Sequence, residues 1–310
     1  MAKIGNSDLD VYPLNLGGNV FGWTADEDQS FAVLDAYTAA GGNFIDTADS
    51  YMARIPGNSG GESEAIIGNW LARRGRRDDV VIATKVGNWA KRPGLSARNI
   101  KEAAEDSLRR LRTDHIDLYY AHRDDSDTPL EETLGAFDEL IRAGKVRYIG
   151  ASNYTADRLA EALSISDRAG FARYVALQPH YNLVERGYEL DLAPLVQKEG
   201  LSTLPYFALA MGFLTGKYRS REASTAGPRA AGAVKYLDHR GERVLEALDD
   251  IAATHDSTPA AVSLAWLAAQ PTVAAPIASA RSVEQLKDLV ASVELQLADT
   301  ELATLNDASA

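Results

Sequence analysis

The 310 residues are 45% apolar and 25% charged, include no cysteine, and carry 44 acidic against 32 basic groups for a net charge of −12. Such a chain can bury a core, and the missing thiols exclude disulfides and thiolate metal sites. The acid excess disfavours a general polyanion binder without excluding a local basic pocket, and the chain has no run of about 18 apolar residues that could cross a bilayer.

The opening "MAKIGNSDLD" has no basic stretch followed by an apolar run, so no secretory signal is expected. A cytoplasmic protein without nucleic-acid or membrane partners is the resulting expectation. A monomer is expected because no coiled-coil seam is visible.

Short, apolar, β-rich runs recur in chain order: "LNLGG" (14–18), "NFIDT" (43–47), "DVVIATKVG" (79–87) and "HIDLYYAH" (115–122). "KVRYIGASN" (145–153), "YVALQPHYN" (174–182), "LSTLPYFAL" (201–209) and "TVAAPIAS" (272–279) follow. Nearly continuous hydrophobicity in short runs suits parallel strands buried on both faces. Helical spacing lies between them. Phe31, Leu34 and Tyr37 precede a stop at Gly41-Gly42. Ser96 is the expected N-cap of a helix carrying Ile100, Ala104, Leu108 and Leu111. Leu130, Leu134, Phe137 and Ile141 line a third helix that Gly144 ends. "AAVSLAWLAAQ" and "SVEQLKDLVASV" supply two more.

Eight strands alternating with helices predict an α/β fold, either a closed (β/α)8 TIM barrel or an open doubly wound sheet. The open sheet would bring a G-x-G-x-x-G turn after an early strand, and "LGGNVFGW" does not supply it. No linker divides the chain, so one domain over 1–310 is expected. The longest irregular piece, 215–241, is rich in Ala, Gly, Ser and Arg. It reads as a lid or as a surface excursion.

In parallel barrels chemistry gathers at the carboxyl ends of the strands. There the sequence places Asp46 and then Tyr51, Lys85, His122, Ser152 with Asn153, Gln178, and Tyr206. Singly, a lysine at a strand end usually snorkels to water and a histidine is usually structural. Together they have a chemical reading. A phenol titrates near pH 10 and is a poor acid at neutrality. A neighbouring ammonium, Lys85, would favour the phenolate of Tyr51, with Asp46 as its own partner. His122 could orient a substrate oxygen or relay a proton. Such a set can protonate a carbonyl oxygen, but the hydride must come from a cofactor. A barrel hydrolase using Asp46 and Asp49 leaves Lys85 unexplained, and no histidine pair offers a metal site.

Asp46, Tyr51, Lys85 and His122 resemble the catalytic tetrad of the aldo-keto reductases, in the same chain order. "GGNFIDTADSY", "TPLEETLGAFDELIRAGKVRYIGASN" and "LAMGFLTGKY" are similar to further family segments, so the resemblance covers almost the whole chain. It implies a (β/α)8 barrel that binds NADPH/NADP+, with NADH less favoured, and acts on a small-molecule carbonyl or alcohol. By that resemblance Ser152, Asn153 and Gln178 hold the nicotinamide amide and Tyr206 stacks on its ring. Phe207, Leu209 and Gly212 approach the diphosphate and Lys217 neutralises it. Gly18 and Asn19 sit near the nicotinamide, and 215–241 becomes a cofactor clasp.

"PIASARSVEQLKDLV" resembles the family's adenosine-phosphate segment, placing Ser279, Arg281, Gln285 and Asp288 on the cofactor. Arg281 favours NADPH because a guanidinium can grip a 2′-phosphate with two hydrogen bonds. Two departures appear: Asp288 stands where Glu is common and Leu289 where Asn is common. Trp23 and Trp89 either wall the substrate pocket or pack beneath its rim. Arg123 either meets an anionic or polyhydroxylated substrate or pairs with Asp124 or Asp125. Sugars, keto-glycosides, small aldehydes and aromatic ketones all stay open as substrates. A reductase-like barrel serving as a cofactor-sensing binding module is the second reading.

Overall fold

Side chains on a strand alternate between its two faces, and that alternation sorts this molecule into two apolar layers. A computed structural model describes residues 1–225 and 227–310. Eight strands form one parallel sheet: β1 (Asn15–Gly17), β2 (Phe44–Asp46), β3 (Val81–Val86), β4 (Ile116–Ala121), β5 (Val146–Ser152), β6 (Tyr174–Gln178), β7 (Ser202–Thr203) and β8 (Ile277–Ala278). They neighbour one another in the order β7-β6-β5-β4-β3-β2-β1-β8. The ring closes through backbone bonds from Thr203 N to Thr272 O (2.8 Å), Ala274 N to Thr203 O (3.0 Å) and Ile277 N to Pro205 O (2.9 Å). The expected (β/α)8 barrel is therefore the fold, and the doubly wound sheet is not.

Helices α1 (Glu27–Ala39), α2 (Glu62–Arg74), α3 (Ala97–Leu111), α4 (Leu130–Arg142), α5 (Ala156–Ala169) and α6 (Tyr188–Glu199) follow the first six strands. α7 (His239–Thr254), α8 (Pro259–Ala268), α9 (Val283–Glu294) and α10 (Asp299–Ala308) complete the chain. Local sequence explains their ends. Ser96 caps α3 by accepting from the Asn99 N–H, as expected. Asp26 and Gln29 cap α1 reciprocally. Gly144, just past α4, takes the left-handed conformation at φ 71°.

Outward-facing residues such as Ile45, Ile82, Tyr119 and Ile149 join the layer under the helices. Inward-facing Phe44, Val81, Ala83, Leu118, Tyr120, Ala176 and Leu204 form a second cluster inside the ring. Gly150 makes room for Tyr120, since a Cβ there would meet its ring at 2.4 Å. Ile4, Leu9 and Val11, from a two-stranded hairpin (Ala2–Lys3 with Asp10–Val11), join the inner cluster at the amino ends of the strands.

Two expectations change in detail. The 201–209 run is strand only at Ser202–Thr203. Pro205 has no N–H to give, and Phe207, Ala210 and Met211 all take positive φ. The 215–241 segment is not an irregular excursion. It contains 3-10 turns at Arg221–Thr225 and Val234–Tyr236, a helical turn at Ala230–Ala233, and the start of α7. Ala226, within that segment, lies outside the described residues.

Candidate active site

Strand parity aims the reactive groups. Asp46 lies two residues beyond inward-facing Phe44, Lys85 two beyond Ala83, His122 two beyond Tyr120, and Gln178 two beyond Ala176. Each therefore projects inward above the filled core, at the carboxyl ends of β2, β3, β4 and β6. They meet at the foot of a cleft of about 880 Å³.

The geometry there is tight. Lys85 Nζ donates to Asp46 Oδ2 at 2.5 Å, to the Tyr51 hydroxyl at 2.8 Å and to the Thr47 carbonyl at 2.8 Å. Tyr51 Oη donates to Asp46 Oδ2 at 3.0 Å, and Gln178 Nε2 donates to Asp46 Oδ1 at 2.9 Å. Lys85 and Asp46 are wholly buried, so each charge needs the other. The His122 ring stands edge-on to Tyr51, with centroids 6.1 Å apart.

Burial lowers Lys85, with Asp46 opposing, and burial drives His122 well below its ordinary value, helped by Lys85 and Arg123. His122 is thus a neutral imidazole, and its Nδ1 is buried without a partner. The expected acidification of Tyr51 by the Lys85 ammonium is not found. Burial first, and then the Asp46 carboxylate, push the phenol well above its ordinary value. Tyr51 therefore carries its proton at neutral pH.

Above this foot, Ser152 donates to the Gln178 carbonyl at 2.9 Å. Asn153, at φ 56°, holds the His122 carbonyl and Ser152 with its amide nitrogen. Tyr206 Oη donates to Asn153 Oδ1 at 2.7 Å, and the Tyr206 ring stacks on His180 at 5.3 Å. Asn19 Oδ1 accepts from Ser279 at 2.7 Å and from Arg229 at 3.0 Å. Phe207, Leu209, Gly212 and Lys217 line the same cleft, as do Arg281, Gln285 and Asp288.

Lys85 lies buried beneath the cleft floor, within reach of Asp46 and Tyr51. Three expected residues fall elsewhere. Gly18 is turned away, with Gly17 lining the cleft in its place; a Cβ on Gly18 would meet Ser63 and the Asp46 carbonyl. Trp89 packs over Gly60 while its neighbour Asn88 lines the cleft, whereas Trp23 does line it. Arg123 is exposed and does not line the cleft. Its expected partners are engaged by others: Asp124 pairs with Arg158, and Asp125 accepts from Leu95 N and Thr128.

Sequence reading missed Arg229. It stacks 5.6 Å from the Trp23 ring centroid and lines the cleft from the 215–241 segment. A signal was available, since residues 223–234 around it contain no acid with which it could pair. Among the described residues, none of Lys217, Arg229 and Arg281 forms an ion pair with a carboxylate. Burial lowers Lys217, and Arg281 and Arg229 lower it further, so one side of the cleft is a concentrated positive field. No group of three or more His, Cys, Asp or Glu side chains suited to a metal ion occurs among the described residues.

This barrel, with a buried Asp–Lys pair on a phenol and a cation-rich cleft, matches the Aldo/keto reductase family model over residues 13–310. The chain belongs to that family and is a carbonyl-reducing oxidoreductase. It is 36% identical to Protein tas of Escherichia coli (strain K12), covering 98% of this chain and 95% of that protein. It is 37% identical to the uncharacterized oxidoreductase YrpG of Bacillus subtilis (strain 168), over 98% and 94%. Norsolorinic acid reductase A of Aspergillus parasiticus is 30% identical, over 96% of this chain and 78% of that protein. Members of the family generally use nicotinamide cofactors, usually NADPH. No helix among the described residues is long and apolar enough to cross a membrane.

Proposed function

We propose that this protein is an NADPH-dependent reductase of aldehydes or ketones, with Tyr51 as the proton donor, Lys85 and Asp46 as its partners and His122 as the group that orients the carbonyl. The observation that carries the reading is the convergence of Lys85 Nζ and Tyr51 Oη on Asp46 Oδ2 at the foot of the cleft. The cofactor fits the donors present. Unpaired Lys217, Arg229 and Arg281 suit phosphates, and the Ser152, Asn153 and Gln178 amides and hydroxyl suit a carboxamide. A reduced nicotinamide, when bound, supplies the hydride.

The residues themselves handle the proton. Tyr51 aims its proton at Asp46 Oδ2 in the resting site; once the substrate oxygen gains alkoxide charge it becomes the better acceptor, and rotation about the phenolic C–O bond redirects the proton to it. Lys85 goes on donating to the phenolic oxygen at 2.8 Å and stabilises the phenolate that results. Neutral His122 can donate a hydrogen bond to the same carbonyl without adding charge. In this reading 215–241 is a clasp over the cofactor, tied down through Arg229 and Asn19, in a cytoplasmic single-domain enzyme that acts as a monomer.

The test is NADPH consumption followed by absorbance against a panel of sugars, small aldehydes and aromatic ketones. Rapid oxidation with at least one carbonyl is expected, and NADPH binding without turnover on any would favour a cofactor-sensing module instead.

A further inference from the structure

One buried acid beside the tetrad has no part in the proton path above. Asp49 sits in the loop that joins Asp46 to Tyr51, is only 1% exposed, and does not line the cleft. Its backbone N–H donates to the Lys85 carbonyl at 3.2 Å, so it is fastened to the residue that bears the ammonium.

Among the described residues no cation pairs with its side chain. Arg110 from α3 is taken by Glu64 of α2, Lys85 of β3 by Asp46, and Arg92, beyond β3, by Asp106. Asp49 Oδ1 has no hydrogen-bond partner, and neither does the hydroxyl of Tyr119 on β4, which feels the same charges. Such enclosure penalises the anion relative to the acid.

We propose that Asp49 is a positioning residue for the reduction, a buried carboxyl whose gain or loss of a proton sets how firmly Lys85 is held as an ammonium and Tyr51 as a phenol. This rests on the reductase reading given above. Burial first, then repulsion from Glu64, lifts Asp49 to about 7 against the pull of Arg110 and Arg92. Ionised, it adds negative potential that favours the Lys85 ammonium. Like Asp46, it then also makes the phenol hold its proton more tightly. Proton donation therefore weakens as pH rises through neutrality.

The experiment compares wild type, Asp49→Asn and Asp49→Glu with NADPH and 4-nitrobenzaldehyde. In wild type, kcat for reduction is expected to fall about 3- to 10-fold between about pH 6 and pH 9. Asp49→Asn is expected to lose that limb with KM little changed, and Asp49→Glu to restore a limb that Asn cannot. Wild-type protein labelled with carboxyl-13C aspartate supplies a measurement that needs no variant: one buried aspartate carbon titrating near neutrality. No aspartate titrating above about pH 6 would overturn the inference. Wild-type turnover with the same limb in Asp49→Asn would overturn only the role of Asp49. Absence of wild-type turnover on every carbonyl would overturn the reductase reading and this inference with it.

Discussion

Lys85 Nζ and Tyr51 Oη lie 2.8 Å apart and share one carboxylate oxygen, Asp46 Oδ2. That shared acceptor keeps the phenol protonated, and in the proposed reduction the ammonium stabilises its conjugate base. Removing only the hydroxyl, in Tyr51→Phe, leaves the cleft shape and its cations intact. NADPH affinity, read by quenching of tryptophan fluorescence, is expected to be unchanged, while kcat drops by about 10²- to 10⁴-fold. Turnover of Tyr51→Phe within a few-fold of wild type across several carbonyls would defeat the assignment.

In the proposed reading Arg281 sets the preference for NADPH. Without a carboxylate partner it is available for a phosphate, and a charge-assisted pair of hydrogen bonds is worth roughly 1.5–3 kcal/mol. Arg281→Ala is expected to raise KM for NADPH by about 10- to 100-fold and to leave KM for NADH nearly unchanged. Equal loss for both cofactors would show that Arg281 does not read the 2′-phosphate.

Much of this was legible in the sequence, for a physical reason. Parity fixes which side of a strand a residue takes, so Asp46, Lys85, His122 and Gln178 could be aimed from their spacing to inward apolar neighbours. Position within a turn has no such period. Gly17 and Gly18, or Asn88 and Trp89, exchange roles through a small change in loop backbone, and sequence pattern is silent on that. Arg229 was hidden by the same lack of periodicity in 215–241. The direction of the Tyr51 shift depended on how deeply the pair is buried and on which carboxylate oxygen the phenol faces, and neither is written in spacing.

At the opposite end of the barrel, stability should depend on Asp117. It is buried and accepts from Arg77 Nη2 at 2.6 Å, Arg147 Nη1 at 2.8 Å and the Ile82 N–H at 2.9 Å. Burial pushes it upward, but His115 and Arg77 together with that N–H hold it well below the usual carboxylate range. The His115 ring nitrogen at 3.6 Å acts through charge more than through a hydrogen bond. A depressed carboxyl contributes its stability above its unfolded value, about 3.9, and loses it as pH falls toward the folded one. Asp117→Asn is expected to cost about 2–4 kcal/mol at pH 7, with the gap to wild type narrowing below about pH 4 in urea titrations. A gap that stays constant with pH would contradict this.

Helix packing offers a separate check. A Cβ on Gly68 of α2 would come within 2.0 Å of the Arg110 carbonyl on α3, a backbone atom that cannot step aside. Gly68→Ala is therefore expected to destabilise by about 1–3 kcal/mol or more, visible as a lower Tm. Because Glu64 on α2 pairs with Arg110 on α3, the same change should disturb the charges around Asp49. A Tm equal to wild type would mean that the two helices separate freely.

The hairpin of the first eleven residues has a consequence for synthesis. Its apolar side chains share one cluster with Ala275, just before β8, and Ile277 on it, as well as with residues of earlier strands. A segment made before any barrel strand must therefore wait for the last of those strands before it finds its seat. Until then the base of the ring stands open and its apolar side chains face water.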